Sequence, residues 1–268
     1  LNFPDTNDKL YKDFWPANLH IIGKDILRFH TVYWPAFLMA AKLPLPLKVY
    51  GHGWILSDDK KMSKSIGNIL DPLEIIDKYG IDQLRYYLVK EVSLGNDGNI
   101  SMENLKNCIN NDLANNFGNL CQRVFSFIER NCAGKLPTPT KFEEVDLDLI
   151  NNLINKTDEL IVDINKQELN NYVKKVIEFS FNANKYFNDL EPWALKKTNV
   201  ERMNTILYSI VTQIKNISIL LSPIIPISSN KILNIMNIKK EDRLLESIIN
   251  KNVFNHNLEF KKTSILFK

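Results

Sequence analysis

From about residue 102 to 221 the chain repeats its apolar residues at spacings of three and four, a pattern that allows helices and little else. Ile109, Leu113, Phe117, Leu120, Val124 and Phe127 make one such stripe, and similar stripes run through 147–166, 169–190 and 201–221. Successive amphipathic helices bury their stripes against one another, so a helical bundle is expected. The first hundred residues follow another rule. Residues 19–22 (LHII) read as a short buried strand, 25–41 (DILRFHTVYWPAFLMAA) as an apolar helix interrupted at Pro35, and 47–56 (LKVYGHGWIL) as a second strand. Strand, helix and strand within ~40 residues form the crossover unit of a parallel sheet. Such sheets take ligands at the carboxyl ends of their strands, where Gly23–Asp25 and His52–Gly53 fall. Asp71-Pro72-Leu73-Glu74 reads as a helix start and Gly80 as its stop, and Asp82 opens a further helix. The expected organisation is an α/β unit over 1–105 followed by an all-α bundle over 106–268.

Composition narrows the function classes. The 268 residues are 44% apolar and 24% charged, ordinary for a soluble globular protein. A net charge of +3 is too small to mark a nucleic-acid binder, so any such site must be local. Cys108, Cys121 and Cys132 are spaced for neither a zinc site nor a disulfide framework, and read as reduced thiols of a reducing compartment. No apolar run approaches the ~20 residues of a membrane span. The first residues, LNFPDTNDKLYKDF, lack the pattern of a signal peptide and an initiator Met, so a fragment of a longer protein is expected. Neither composition nor patterning sets an oligomeric state, monomer or dimer.

The stretch DDKKMSKSIGN, residues 58–68, places Lys60, Lys61 and Lys64 among Ser63, Ser65 and Gly67, with no apolar face to bury. A solvated charge run is the plain reading of such lysines. Elsewhere Asn119 and Arg123 lie one helical turn apart beside the apolar stripe. Their donor fork and amide are suited to the edge of an unstacked RNA base, or to a solvated helix face.

Lys61-Met62-Ser63-Lys64-Ser65, following a sheet strand, resembles the signature loop of class I aminoacyl-tRNA synthetases. Trp15-Pro16-Ala17, His20-Ile21-Ile22-Gly23-Lys24-Asp25-Ile26-Leu27-Arg28-Phe29-His30, Tyr33-Trp34-Pro35-Ala36-Phe37-Leu38, His52-Gly53-Trp54 and Asp82-Gln83-Leu84-Arg85-Tyr86-Tyr87 resemble the methionyl-tRNA synthetase family in particular. The resemblance runs from about residue 1 to past 195. It implies an α/β remnant of a Rossmann-type parallel-sheet catalytic domain, including the loop 61–65, followed by a helical anticodon-binding domain. The implied activity is ATP-dependent attachment of methionine to tRNA(Met) through methionyl-adenylate, in the cytoplasm. ATP with Mg2+, methionine and tRNA(Met) are the implied partners.

The resemblance assigns Lys64 to ATP with Lys61 assisting, and places Ser63 in the same loop. Gly23 and Asp25 correspond to the ATP ribose site, although Asp25 also suits a helix cap. His52 and Gly53 correspond to the adenine and phosphate side, although His52 also suits a satisfied strand end. Ile26 and His30, one turn apart, correspond to the methionine pocket, where a core histidine is the alternative. Asn119 and Arg123 correspond to the anticodon-reading pair, and Trp193 of Glu191-Pro192-Trp193-Ala194 to its stacking platform, with a core anchor as the alternative for Trp193. The family's HIGH-type motif and zinc-binding insertion are expected upstream, with no metal site in this chain, and the fragment alone is expected to be inactive. Two other functions compete: a non-catalytic tRNA-binding module, and a class I synthetase for another apolar amino acid.

Overall fold

The computed structural model describes residues 3–57, 60–62, 70–249, 254 and 258–261. Its chain separates into two compact units, one of residues 1–69 and 92–100 and the other of 70–91 and 101–268. These units follow packing, and the helices of 70–91 pack with the bundle.

In the first unit, helix α1 (Lys9–Phe14) begins where the Asp8 carboxylate accepts the backbone N–H groups of Leu10 and Tyr11. Strand β1 (His20–Gly23) pairs in parallel with β2 (Val49–His52), with Gly23 beside His52 in the register. The connection between them contains helix α2 (Trp34–Ala40). The expected single helix over 25–41 is instead a 3-10 turn at Lys24–Ile26, a π-helical segment at Phe29–Tyr33, and then α2. Pro35 has no N–H to return to Thr31, and it stands just inside the start of α2, after the wider π turns.

The expected strand over 47–56 is also divided. After β2 the chain leaves its partner at Gly53, and β3 (Ile55–Ser57) joins a different sheet. There it pairs antiparallel with β4 (Lys60–Lys61) and in parallel with β5 (Gly98–Ile100). The reason lies in the loop before β5: a Cβ on residue 53 would overlap the backbone of Asn96 and Asp97, and Trp54 donates its N–H to Asp97 Oδ1 at 2.8 Å.

The second unit opens with α3 (Pro72–Tyr79), capped by Asp71, whose side chain accepts from Leu73 N–H, and closed by Gly80 at φ +101°. In α4 (Ile81–Glu91) the Asp82 carboxylate does more than mark a helix start. It is buried and accepts Ser228 N–H at 2.6 Å, at the beginning of α12 (Pro226–Ile235), while Arg85 donates to the carbonyls of Pro223 and Ile224. Between them, α5 (Met102–Cys108), a π-helical segment (Ile109–Gly118) and α6 (Asn119–Asn131) run as one rod. The π segment explains why the predicted stripe drifts. Ile109 to Val124 are buried as expected, but Phe125 and Ile128 continue the core while Phe127 is only half-buried.

Residues 147–166 fall in two helices, α7 (Glu144–Asn155) and α8 (Thr157–Asn165), and α9 spans Leu169–Asp189. A short α10 (Pro192–Leu195) precedes α11 (Val200–Leu221), against which α6, α7, α9, α10 and α12 pack; α13 (Glu246–Ile249) follows. Met203, Ile206, Leu207, Ile210, Val211, Ile214, Ile217, Leu220 and Leu221 of α11 are all buried, each contributing about 1.5–3 kcal/mol by the usual transfer scale. Within that core the fully buried Asp146 carboxylate takes two bonds from the Arg202 guanidinium, at 2.5 and 3.0 Å, one from the Tyr186 hydroxyl and one from Glu143 N–H. Cys108 and Cys121 are buried free thiols; burial pushes the Cys108 thiol up to about 12, which leaves it unreactive. Among the described residues no helix is long and apolar enough to cross a membrane.

Candidate functional sites

The first unit gathers its predicted residues at the carboxyl ends of β1 and β2. Because these strands are parallel and Gly23 is in register with His52, the turn Gly23–Asp25 and the turn at Gly53 emerge side by side. A Cβ on residue 23 would come within 2.5 Å of Asp25 Oδ1, so glycine leaves the carboxylate its position. No side chain caps the 3-10 turn, whose cap residue is Gly23, and Asp25 lies exposed in its first turn; the capping alternative is not what the geometry shows. His52 is half-buried, with Nδ1 2.9 Å from the Gly53 carbonyl, a strand-end contact that leaves Nε2 on the other side of the ring.

Ile26 and His30 share a helix face. His30 Nδ1 lies 3.0 Å from the Ile26 carbonyl, and its ring meets Trp34 edge-on at 5.8 Å. Trp34 belongs to a larger aromatic group with His20 at 5.0 Å and Trp15 at 5.7 Å, which sequence reasoning quoted but gave no role. Its signal was the density of aromatics in residues 15–34. Lys61 stands on β4, with Nζ 4.1 Å from the centre of the Trp54 ring. Ser63 and Lys64 lie outside the described residues.

The second unit builds its site on helices. Asn119 and Arg123, one turn apart on α6, face the end of α9 and the start of α10. Arg123 lies 5.2 Å over the Phe187 ring and 5.9 Å from the Trp193 ring, and donates to Asn188 Oδ1 at 2.7 Å. Phe187 and Trp193 meet edge to face at 5.6 Å. Glu191 in a left-handed conformation (φ +40°) turns the chain so that Pro192 is buried and Trp193 is left 43% exposed. Asn119, Gln122, Arg123, Phe127, Phe187 and Trp193 line an open concavity of about 560 Å³. Sequence reasoning found three of these residues. Phe187 and Asn188 escaped it because only the tertiary fold brings α9 beside α6, whereas Gln122, on α6 three residues after Asn119, was open to the same helical spacing.

Among the described residues there is no group of three or more His, Cys, Asp or Glu placed to hold a metal ion.

Parallel strand ends beside a lysine hairpin, followed by a helical bundle, define a class I aminoacyl-tRNA synthetase architecture. A family model described as tRNA synthetases class I (M) matches residues 2–125, and one described as the anticodon binding domain of methionyl tRNA ligase matches residues 136–268. Methionine--tRNA ligase of Brucella suis biovar 1 is 44% identical over 249 residues, covering 93% of this chain and 48% of the relative. That of Rickettsia prowazekii is 40% identical over 271 residues, covering 100% of this chain and 53% of the relative. Among solved structures, Mycobacterium tuberculosis methionyl-tRNA synthetase bound by methionyl-adenylate superposes with a TM-score of 0.95 at 35% identity, over 100% of this chain and 53% of that one. The chain belongs to the methionyl-tRNA synthetase family. It spans about half the length of the curated relatives it matches.

Proposed function

We propose that this chain contributes the lysine-loop side of the active site and the anticodon-reading bundle of an enzyme that attaches methionine to tRNA(Met) through methionyl-adenylate. The functional division remains near residue 105, with catalytic residues before it and RNA-reading residues after it. The observation that carries the reading is the cluster of Asn119, Arg123 and Trp193. A tryptophan held 43% exposed beside a guanidinium, over an open concavity, offers a stacking face and an edge-reading fork together. An unstacked RNA base needs both.

At the strand ends the chemistry is adenylate formation. The methionine carboxylate attacks the α-phosphorus of ATP, a new C–O–P linkage forms, and the bond to the pyrophosphate oxygen breaks. Negative charge grows on that leaving group, so the ammonium groups of Lys64 and Lys61, with Ser63 beside them, stabilise the transition state more than the ground state. Asp25, beside Gly23, accepts hydrogen bonds from the ribose hydroxyls, and His52–Gly53 borders the adenine and phosphates. Ile26 and His30 line the methionine side-chain pocket. The Trp34 edge beside His30 supports this, since a thioether sulfur packs favourably near aromatic rings. Mg2+ would enter on the ATP phosphates. The setting is the cytoplasm, where tRNA and ATP are available and the thiols stay reduced.

Methionine-dependent exchange of pyrophosphate into ATP tests this in the full-length enzyme. Lys64→Ala should slow exchange roughly a hundredfold, the usual effect of removing one preorganised charge contact, at an unchanged melting temperature. Exchange at the parent rate would leave only the solvated-charge reading of residues 58–68.

A further inference from the structure

Lys61 is exposed, yet it does not simply extend into water. Leu56 is the pairing partner of Lys61 in the β3–β4 hairpin, and Trp54 lies two residues before Leu56. In an extended chain that spacing returns a side chain to the same face, so Trp54 and Lys61 are diagonal neighbours. The Lys61 ammonium rests 4.1 Å from the indole centre, well inside the range of a cation–π contact, and Trp is the strongest aromatic partner for one. The backbone of Trp54 is itself held in place. Its backbone N–H donates to Asp97 Oδ1, and the same oxygen receives the Lys24 ammonium at 2.5 Å. Those two partners hold the Asp97 carboxyl below the usual carboxylate range, and Gly53 packs directly against Asn96. The backbone that carries the aromatic platform is therefore anchored from a loop some forty residues further along the chain, while the lysine on the platform is the first residue of the 61–65 loop.

We propose that Trp54 is a positioning residue for ATP chemistry: its indole face holds the Lys61 ammonium beside the strand ends at His52 and Gly53, so that the first lysine of the loop meets the phosphates already ordered. The proposal rests on the ATP reading above. A lysine side chain loses much of its rotamer freedom when fixed. A platform that fixes it before ATP arrives moves part of that cost out of the catalytic step. The contact is specific in kind: it requires a π face at position 54, and apolar bulk alone does not supply it.

The test is pyrophosphate exchange in the full-length enzyme with Trp54→Leu, Trp54→Tyr, Lys61→Ala and the Trp54→Leu/Lys61→Ala double variant. Trp54→Leu should lower kcat by roughly three- to tenfold, the scale of one cation–π contact, with KM for methionine unchanged. Trp54→Tyr should return activity to within about twofold of the parent. The double variant should be no slower than Lys61→Ala alone, because each change removes the same contact. If Trp54→Leu matches Trp54→Tyr, or if its effect multiplies with that of Lys61→Ala, the π face is irrelevant and the proposal is overturned while the ATP reading stands. If Lys61→Ala itself leaves exchange unchanged, the proposal falls together with the role of Lys61 in ATP chemistry.

Discussion

The two units of the chain treat apolar surface in opposite ways. In the helical unit α11 is buried along almost its whole length, and even its polar residues Ser209, Gln213 and Asn216 are out of water. In the sheet unit Phe37, Leu47 and Met39 are 69%, 68% and 66% exposed, and Phe14, Ile21 and Phe29 also stand more than half in solvent. Among the described residues its sheets have two and three short strands, at or below the minimum that sustains an independent sheet. The contrast shows that a unit can be locally well formed without closing a core of its own. Large apolar side chains exposed in such number within one small unit are normally covered. The matched relatives are about twice as long, and we propose that further class I catalytic structure is the cover.

Amide exchange on the isolated chain would break or establish the contrast. Core amides of α11 should exchange roughly a thousandfold more slowly than those of β1 and β2, the span between global and local opening in a marginally stable protein. Equal protection would mean that the sheet unit closes a core despite its exposed residues.

A charge inside the helical core is the next largest lever. Asp146→Asn removes the buried partner of Arg202 and leaves its guanidinium only the exposed Glu143 carboxylate at 3.3 Å, which should cost up to about 3–5 kcal/mol in urea unfolding followed by helical signal. The pH dependence has a definite sign. Burial raises the Asp146 carboxyl, but Arg202, Tyr186 and the Glu143 N–H outweigh it and hold the group below its ordinary value. Its stabilisation is therefore complete above about pH 4 and is lost as pH falls through the depressed native value. The Asn variant should show a shallower acid limb than the parent.

Functional independence of the units is tested at Trp193. In the full-length enzyme Trp193→Ala should lower kcat/KM for charging tRNA by roughly tenfold to a hundredfold, the scale of one base–aromatic stack. Activation measured without tRNA should stay within about twofold. Equal losses in both reactions, with a lowered melting temperature, would sink the anticodon role. The smallest effect concerns Lys215, whose ammonium is lowered by burial to about 8, against the opposing pull of Asp242. An unfolded lysine titrates near 10.4, so between about pH 8 and pH 9.5 the unfolded chain binds more protons and stability rises with pH. Lys215→Met should abolish that slope and add about 1–2 kcal/mol at pH 7.

What the sequence made legible was chemistry that acts over a few residues. Asp71, Pro72 and Gly80 mark α3 because a cap is satisfied by its immediate neighbours. Asn119 and Arg123 share a face because four residues make about one turn. The split of 47–56 was invisible because its cause, the backbone of Asn96, arrives from another part of the chain. Asp82 looked like a start signal for its own helix, whereas its carboxylate serves α12, nearly 150 residues away. In the bundle site the same limit hid Phe187 and Asn188, which become neighbours of Arg123 only once α9 is laid against α6. At the strand ends Gly23, Asp25, His52 and Lys61 were named, but the register that sets Gly23 beside His52 depends on pairing that no local pattern specifies.

The π-helical segment Ile109–Gly118 works as a phase adjuster for the rod that carries Asn119 and Arg123. Each residue advances a helix by about 100°, so residue number, as well as residue type, sets the compass bearing of everything downstream. Deleting one amino acid inside the segment would tighten the wide turns toward α geometry, so the rotation lost with the residue is largely returned by the tighter turns and Arg123 keeps its bearing toward Phe187 and Trp193. Insertions and deletions here are thus a different kind of edit from substitutions. The segment works as slack: it takes up a residue gained or lost between Ser101 and Asn119 by widening or tightening its turns, so that the helix face carrying Asn119 and Arg123 keeps its aim.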